Sequence, residues 1–539
     1  MDRLSRRELL ASLAATLAGC GASPSAPPDD PVDAGDFAND AAVPDDADVG
    51  PTVEVRFEHG VASGDPLSDR VILWTRATPQ APTVPGDKAL LRWELASTPD
   101  FTEVVARGSL VADARRDWTA KVDVSGLRPG SVWYYRFRSG DAVSPIGRTR
   151  TAPVERVSRL RLAAVSCASL AHGYFHVYRD IAARADLDLV LHLGDYIYEY
   201  PSNYFGDVRA YDPPTELFTL SDYRRRYAQY RRDPDLQAMH RQHPMAAVWD
   251  DHEFSNNSFR DGTDGVPDPR FRARAEAARR AWFEWMPTRE SRGPWIYRRL
   301  RYGPLADVTL LDTRYDGRDA QKPYETPRLR DPSRSLLGMT QEAWLAAQLA
   351  DGGAQWRVLA QQVILSPRPN DLNVDAWDGY PAARDRLFAA LRLPGVGDPV
   401  VLTGDVHTSW AFDVTPDPRD PRRYDPRTGA GSLGVELVTP GVSAPSLLNM
   451  GEFEEERMRN SLQHLRFVDL TRRGWVLVDL TEARMQAVWN LLDDGTVERG
   501  DRTLTPRVAA VLESRAGARH LVQTQTADPP PDDPPPLAP

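Results

Sequence analysis

The sequence predicts an α/β fold preceded by an all-β segment, and three observations predict it. From residue 157 onward, apolar strand candidates alternate with loops and helical stretches, the grammar of a central sheet with helices on its faces. Between residues 53 and 152 there are only short strand candidates rich in β-branched and aromatic residues, separated by turn residues. Four of the later strand candidates end on thiol, carboxylate, phenol or imidazole side chains: Cys167; Asp195 with Tyr198; Asp250-Asp251-His252; and Asp405 with His407.

The chain begins "MDRLSRRELLASLAATLAGCGASPS", which is read as a targeting segment of residues 1–20 and kept out of the fold. Arg6-Arg7 before an apolar run reads as a twin-arginine signal, and "LAGC" resembles a lipoprotein cleavage box with Cys20 as the lipidated residue. The apolar run is too short for a permanent membrane span. Residues 21–52 are small, acidic and Pro-rich, and they read as a disordered tether. Together these segments predict export by the twin-arginine machinery and a lipid-anchored protein facing the periplasm or the cell exterior.

Residues 53–152 predict a β-sandwich. "RVILWTRA", "LLRWELAS", "AKVDVSGL" and "VWYYRFRS" are its strands, with Trp74, Trp93 and Tyr135 as core anchors. "LRPGSVWYYRF" looks like the closing strands of a fibronectin type III-like sandwich. Residues 157–515 predict the α/β catalytic domain. Its strands are "LRLAAVS", "LDLVLHLGD", "AAVWDD", "ADVTLLDTR", "WRVLAQQVIL" and "PVVLTGDVH". Its helices are 174–185, "RARAEAARRAWFEWM", and "TQEAWLAAQLA" with Thr340 as N-cap. The Pro- and Asp-rich residues 520–539 read as a disordered tail.

The 539 residues, 41% of them hydrophobic, exceed one typical domain and can bury a large core. A formal net charge of −11 argues against nucleic acid as a partner, other than as a substrate. If Cys20 carries lipid, Cys167 has no partner among the two cysteines, so it is either a buried apolar thiol or a metal ligand.

The carboxyl ends of strands in an α/β sheet line one edge and form the ligand crevice. The four polar strand ends should therefore converge. Each motif has a plainer reading: Gly-Asp as a turn, "DDHE" as a helix N-terminus, Cys167 as a core thiol. Their recurrence at four strand ends favours a shared site. Phenolate and thiolate suit a ferric ion, and carboxylates and amides suit Ca²⁺, Mg²⁺ or Mn²⁺; Zn²⁺ also fits but would not need the tyrosine. A carboxylate bridging two metals can place a hydroxide for attack at neutral pH. In "HLGDYIYEY" the strand should stop at Gly194, turning Asp195 into the crevice, with Tyr196 and Tyr200 as packing residues.

The set "VSCAS … LHLGDYIYEY … WDDHEFSNN … LTGDVHTSW" resembles the alkaline phosphatase D (PhoD-like) family of metallophosphoesterases. "GVASGDP … VILWTR", "LDTRYDGR", "WDGYPAARDRL" and "VELVTPGVSAPS" strengthen the likeness, which runs over roughly residues 55–500. The resemblance implies a metallophosphoesterase-type αββα sandwich. It also implies an exported hydrolase of phosphomonoesters and phosphodiesters using iron and calcium. By position it implies Cys167, Asp195, Tyr198 and His407 on an iron, with Asp195 bridging. Asp251 and Asp405 fall on the calcium side, and His252 is the proton donor to the leaving group. Asp250 and Glu253 flank that pair and are expected to orient His252. Asn256 and Asn257 are candidates for metal or phosphate, and Gln361 for calcium or an ordinary strand position. Arg314 and Trp410 are weaker site candidates.

Three functions follow. The first is a metal-dependent phosphatase and phosphodiesterase acting on small phosphoesters by attack of a metal-held hydroxide. The second is a phospholipase or extracellular nuclease on the same fold. The third is a Ca²⁺-stabilised surface binding protein, which gives no reason for thiol, phenol and imidazole to gather.

Overall fold

The computed structural model describes residues 52–290, 295–368, 373–446, 451–493, 497–501 and 503–539. The signal-peptide and lipidation readings of residues 1–20, Cys20 included, and nearly all of the tether lie outside them. Among the described residues, no helix is long and apolar enough to cross a membrane.

Two large sheets dominate. The first has ten strands, and four of them form a parallel run: Arg159–Val165, Leu189–His192, Pro244–Ala247 and Val61–Gly64. The second has seven strands, with a parallel run of Ala306–Leu310, Trp356–Ala360, Asp398–Thr403 and Gly434–Val438. Period-two alternation decides their packing. Val358, Val400 and Val435 of the second sheet share one buried cluster with Leu162, Val190 and Val476 of the first, so the sheets pack through a common core. The alternate residues Leu359, Val401 and Val438 join a separate cluster with Trp344 and Leu345 of helix Met339–Ala350 and Leu387 and Phe388 of helix Pro381–Leu391. Helices His176–Ala182 and Pro234–Gln242 send Val177, Ile181, Leu236 and Met239 into the shared core.

The α/β alternation expected from residue 157 is present. Helix Met339–Ala350, however, has Gly338 rather than Thr340 at its N-cap, so Thr340 lies inside the first turn. The strand expected over "AAVWDD" stops at Ala247, which places Trp249 and Asp250 on the loop beyond it. Among the described residues, six further strands lie between Ser409 and Arg515.

The all-β segment does not close on itself. Lys88–Ala96, Val104–Asp113 and Val132–Ser139, with two short neighbours, form a five-stranded sheet. Val61–Gly64, Val71–Arg76 and Thr119–Val124 instead extend the ten-stranded sheet. The join is parallel pairing of Pro244 with Ser63 and Met245 with Gly64. An unpaired edge on Pro244–Ala247 would expose a row of backbone donors and acceptors, and the N-terminal strands cover it. The small sheet then packs on these strands: Leu73 and Val122 share a core with Leu91, Trp133 and Phe137. Trp74 and Tyr135 are fully buried as expected, whereas Trp93 is only partly buried.

The tail corrects the expectation of disorder over residues 520–539. Val522–Thr524 adds a strand to the edge of the ten-stranded sheet, and Ala538 is 5% exposed. Proline fixes φ in advance, so ordering such a segment costs little backbone entropy once the body offers partners.

Candidate metal centre

Strand ends from both large sheets build the site. Cys167 follows Arg159–Val165, Asp195 follows Leu189–His192, Asp250 to Glu253 follow Pro244–Ala247, and Asp405 and His407 follow Asp398–Thr403. The loops are locked to one another: Cys167 N donates to Gly194 O at 3.1 Å, and Ala168 N to Asp195 O at 2.8 Å. Gly194 is required twice over. Its φ is +104°, and a Cβ there would lie 2.3 Å from Asp250 Cβ. Cys167, Asp195, Asp405 and His407 all adopt left-handed backbone, with φ of 62°, 54°, 67° and 58°. Such strain in non-glycine residues gathers where the surrounding structure over-determines a functional geometry.

Three overlapping sets of donor atoms lie within 4.8 Å of one another: Cys167, Asp195 and His407; Asp195, Asp251 and His252; Asp250, Asp251 and Asp405. Tyr198 joins the first set. Its hydroxyl donates to Asp195 Oδ2 at 3.0 Å and lies 3.1 Å from His407 Nε2. His407 Nδ1 is 2.9 Å from Pro445 O, so Nδ1 donates there and Nε2 is the nitrogen that faces the set. Asp195 is shared between the first two sets, its Oδ1 also receiving the His252 backbone N–H at 3.3 Å.

The electrostatics fit a cation. Burial, reinforced by the Asp195 charge, raises the Cys167 thiol well above its ordinary range, and the Tyr198 phenol likewise. A thiolate and a carboxylate cluster at one buried point call for positive charge to hold them. The donors of the first set match a metal with affinity for thiolate, phenolate and imidazole, and the carboxylate set matches a hard cation. The site therefore has the ligand chemistry of metal binding.

One guanidinium compensates the carboxylates. Arg314, fully buried, donates Nη2 to Asp405 at 2.6 Å and Nη1 to Asp375 at 2.6 Å, pairs through Nε with Asp250, and lies 3.6 Å from Asp251. Arg318 holds the other oxygen of Asp375 at 2.5 Å. Sequence reasoning gave Arg314 little weight and missed Asp375. The "LDTRYDGR" motif was the available signal for the first, and nothing local marked the second.

The orientation of His252 also differs from the expectation. Glu253 does not touch the imidazole. Its carboxylate accepts from the backbone of Asp195 (3.0 Å), Tyr196 (2.5 Å) and Asp250 (2.7 Å), clamping two strand-end loops together. Asp250 is committed to Arg314. The carboxylate that orients His252 is Glu199, 2.8 Å from Nδ1. Glu199 lies inside "HLGDYIYEY", one residue after Tyr198, and was overlooked there. Tyr198 stacks on the His252 ring at 4.3 Å. Burial opposes charging of His252, but Asp251, Glu199 and Asp195 outweigh it and raise its pKa well above the ordinary value.

The remaining candidates sit outside the donor sets. Gln361 gives its amide to Val363 O and Thr403 Oγ1 and accepts from Trp377 Nε1, as a strand-end structural residue would. Asn257 bonds Asp251 Oδ2 through its backbone N–H, and its side chain goes to Asp264; Asn256 gives its backbone N–H to Glu199. Both organise the loop. Trp410 packs in the second core against Phe412. Tyr196 packs as expected, with its hydroxyl 2.9 Å from His240 Nε2; Tyr200 is partly buried and donates to Asn256.

A buried acidic, imidazole and thiol centre at the carboxyl edge of facing sheets has the donors of a metal site, and the comparisons give the class and the family. The PhoD-like phosphatase family matches residues 162–489, and the PhoD-like phosphatase N-terminal domain matches residues 44–153. The chain belongs to the PhoD-like phosphatase family and is a phosphoric ester hydrolase. It is 37% identical over 495 residues to alkaline phosphatase D of Bacillus subtilis (strain 168), covering 87% of this chain and 83% of that protein. A solved structure of PhoD superimposes with a TM-score of 0.80 at 34% identity, covering 89% of this chain and 94% of that one.

Proposed function

We propose that the chain is an exported, metal-dependent phosphatase and phosphodiesterase that hydrolyses small phosphomonoesters and phosphodiesters. The observation that carries this reading is the convergence of Cys167, Asp195, Tyr198 and His407 on one point, with Asp251, Asp405 and His252 beside it. An αββα sandwich of the two large sheets, with a fibronectin type III-like packing of the small sheet on the N-terminal strands of the first, is the scaffold we infer. The targeting segment supports twin-arginine export and a lipid anchor at Cys20.

Cys167, Asp195, Tyr198 and His407 would hold iron, and Asp195, Asp251 and Asp405 would hold calcium. Metals bound there supply Lewis acidity, lowering the pKa of water and neutralising charge on the phosphoryl oxygens. The protein's own groups do the rest. Asp195 fixes the two halves of the site relative to each other. Glu199 anchors His252 through Nδ1, which leaves Nε2 as the nitrogen available to substrate. The surrounding carboxylates, Glu199 among them, raise the pKa of that imidazole, which favours its holding a proton for the leaving alkoxide. Arg314 holds Asp250 and Asp405 in place, and Glu253 fixes the backbone that presents Asp195.

The test is turnover of an aryl phosphodiester by the purified protein, with and without chelator, beside an Asp195→Ala variant. Loss of turnover in both arms is expected, together with iron in metal analysis and a visible iron–tyrosinate band that Tyr198→Phe abolishes. Undiminished turnover by Asp195→Ala would refute the reading.

A further inference from the structure

A second built site lies away from the chemistry, in the seam between the small sheet and helix Pro234–Gln242. Its walls are Tyr134 and Arg148 of the small sheet and Arg241 and Gln242 at the helix end. Tyr134, Arg148 and Gln242 are buried, at 2%, 1% and 4% exposure. Buried polar groups of this kind need partners, and the partners here are backbone groups of the chain's last residues. Tyr134 Oη donates to Pro536 O at 2.7 Å, and Arg148 Nη2 to Pro535 O at 3.3 Å. Gln242 reads both backbone groups of one residue: Oε1 accepts from Ala538 N at 2.8 Å, and Nε2 donates to Ala538 O at 2.9 Å. Arg241 Nη1 donates to Pro539 O at 2.7 Å.

The groove is also selective in shape. The Ala538 methyl enters a small apolar cluster of Ala96, Phe101 and Tyr134, flanked by Val132 and Ile146. A charged side chain placed in that cluster would be buried among apolar groups, at a cost. The prolines suit the remainder: they present carbonyls, need no acceptor for an N–H, and enter with φ already set. Arg148 ties the same seam from below, donating to Gln242 O at 3.3 Å and Ala185 O at 2.9 Å.

We propose that this groove is a peptide-recognition site for a proline-rich segment with a small residue at the Ala538 position. Its occupant is residues 535–539 of the same chain, which fasten the small sheet to helix Pro234–Gln242. The mode combines proline-rich docking with two-point backbone reading by an amide side chain.

Hydrogen exchange of the Ala538 amide in the full chain tests it. At least tenfold protection is expected in the wild type and its loss in Ala538→Glu. A variant lacking residues 535–539 should bind a synthetic peptide of residues 529–539 saturably, at least tenfold more weakly when the peptide carries Ala538→Glu. Gln242→Ala in the truncated protein should weaken the natural peptide by a similar factor, with aryl phosphodiester turnover unchanged. An unprotected Ala538 amide in the wild type would overturn the proposal. So would equal binding of the two peptides, or protection that appears only with dimer formation, which would place the tail in a second copy.

Discussion

The buried acidic centre at the strand ends and the one around Asp413 are built on opposite principles. Asp413 is a single carboxylate with a full set of donors: His520 Nδ1 at 2.6 Å, Tyr424 Oη at 2.7 Å, Arg466 Nη2 at 2.7 Å and Leu521 N at 2.9 Å. Burial works against its charge, yet these partners hold its pKa below the ordinary carboxylate value. At the strand ends, Asp250, Asp251, Asp375 and Asp405 crowd around Arg314, and Asp195 and the buried thiol of Cys167 lie beside them. There burial and mutual repulsion push Asp405 up to about 7, and Asp250 also rises. Three residues of that centre's first donor set, and Asp405 beside them, sit on left-handed backbone. A structural polar network is closed and self-neutralising. The strand-end centre, with the donors of a cation site, carries a surplus of negative groups.

The largest effect that tests this contrast is catalytic. Asp195→Ala should lower kcat/KM by roughly a thousandfold, the loss of about 4 kcal/mol of transition-state stabilisation. Its thermal midpoint without metal should stay level or rise, because a repelling carboxylate is gone. A clear fall in the metal-free midpoint would mean that the two centres do not differ in the way described.

Asp413→Ala should do the reverse. It strands Arg466 and His520 and should cost about 3 kcal/mol of stability, measured by denaturant unfolding, while kcat/KM of the folded protein stays within twofold of wild type.

Glu199→Gln comes next, with kcat/KM expected to fall about 10–100-fold because the anchor of His252 weakens. A purely structural role would leave the pH–rate profile in place, so movement of its His252 limb is the informative readout. Glu253→Gln should leave that limb where it is.

The smallest effect is a pH dependence. The folded pKa of Asp413 lies below its ordinary 3.8, so its stabilisation is complete above the unfolded value and fades as pH falls through the folded one. The stability gap between wild type and Asp413→Asn should therefore be constant above about pH 5 and shrink in stronger acid. A gap that widened on acidification would reverse the assignment.

Much of the strand-end centre was legible because its residues sit at the ends of apolar runs, where an α/β sheet must place its crevice. Cys167, Asp195, Tyr198, Asp251, His252, Asp405 and His407 are all brought to that edge by the parallel runs of the two sheets. Glu199 was harder to read, since a carboxylate beside a tyrosine looks the same whether it faces solvent or an imidazole. Arg314 and Asp375 were harder still: an arginine after a strand is usually exposed, and here a guanidinium with 0% side-chain exposure links three loops. The closed Asp413 network left no local trace, because His520 arrives from the far end of the chain.

Local chemistry in the sequence by itself determined the alternation of strands and helices, the turn at Gly194 and the donor types waiting at each strand end. These depend on side-chain period, backbone sterics and residue identity, all of which act over a few neighbours. Only the tertiary structure decided that the N-terminal strands complete the ten-stranded sheet, that Glu199 and not Glu253 steers His252, and that the proline-rich tail docks. Each of these turns on which unpaired edge or buried polar group a distant segment returns to satisfy. No local pattern encodes that return, because the cost of leaving the group unpaired arises only once the chain has closed around it.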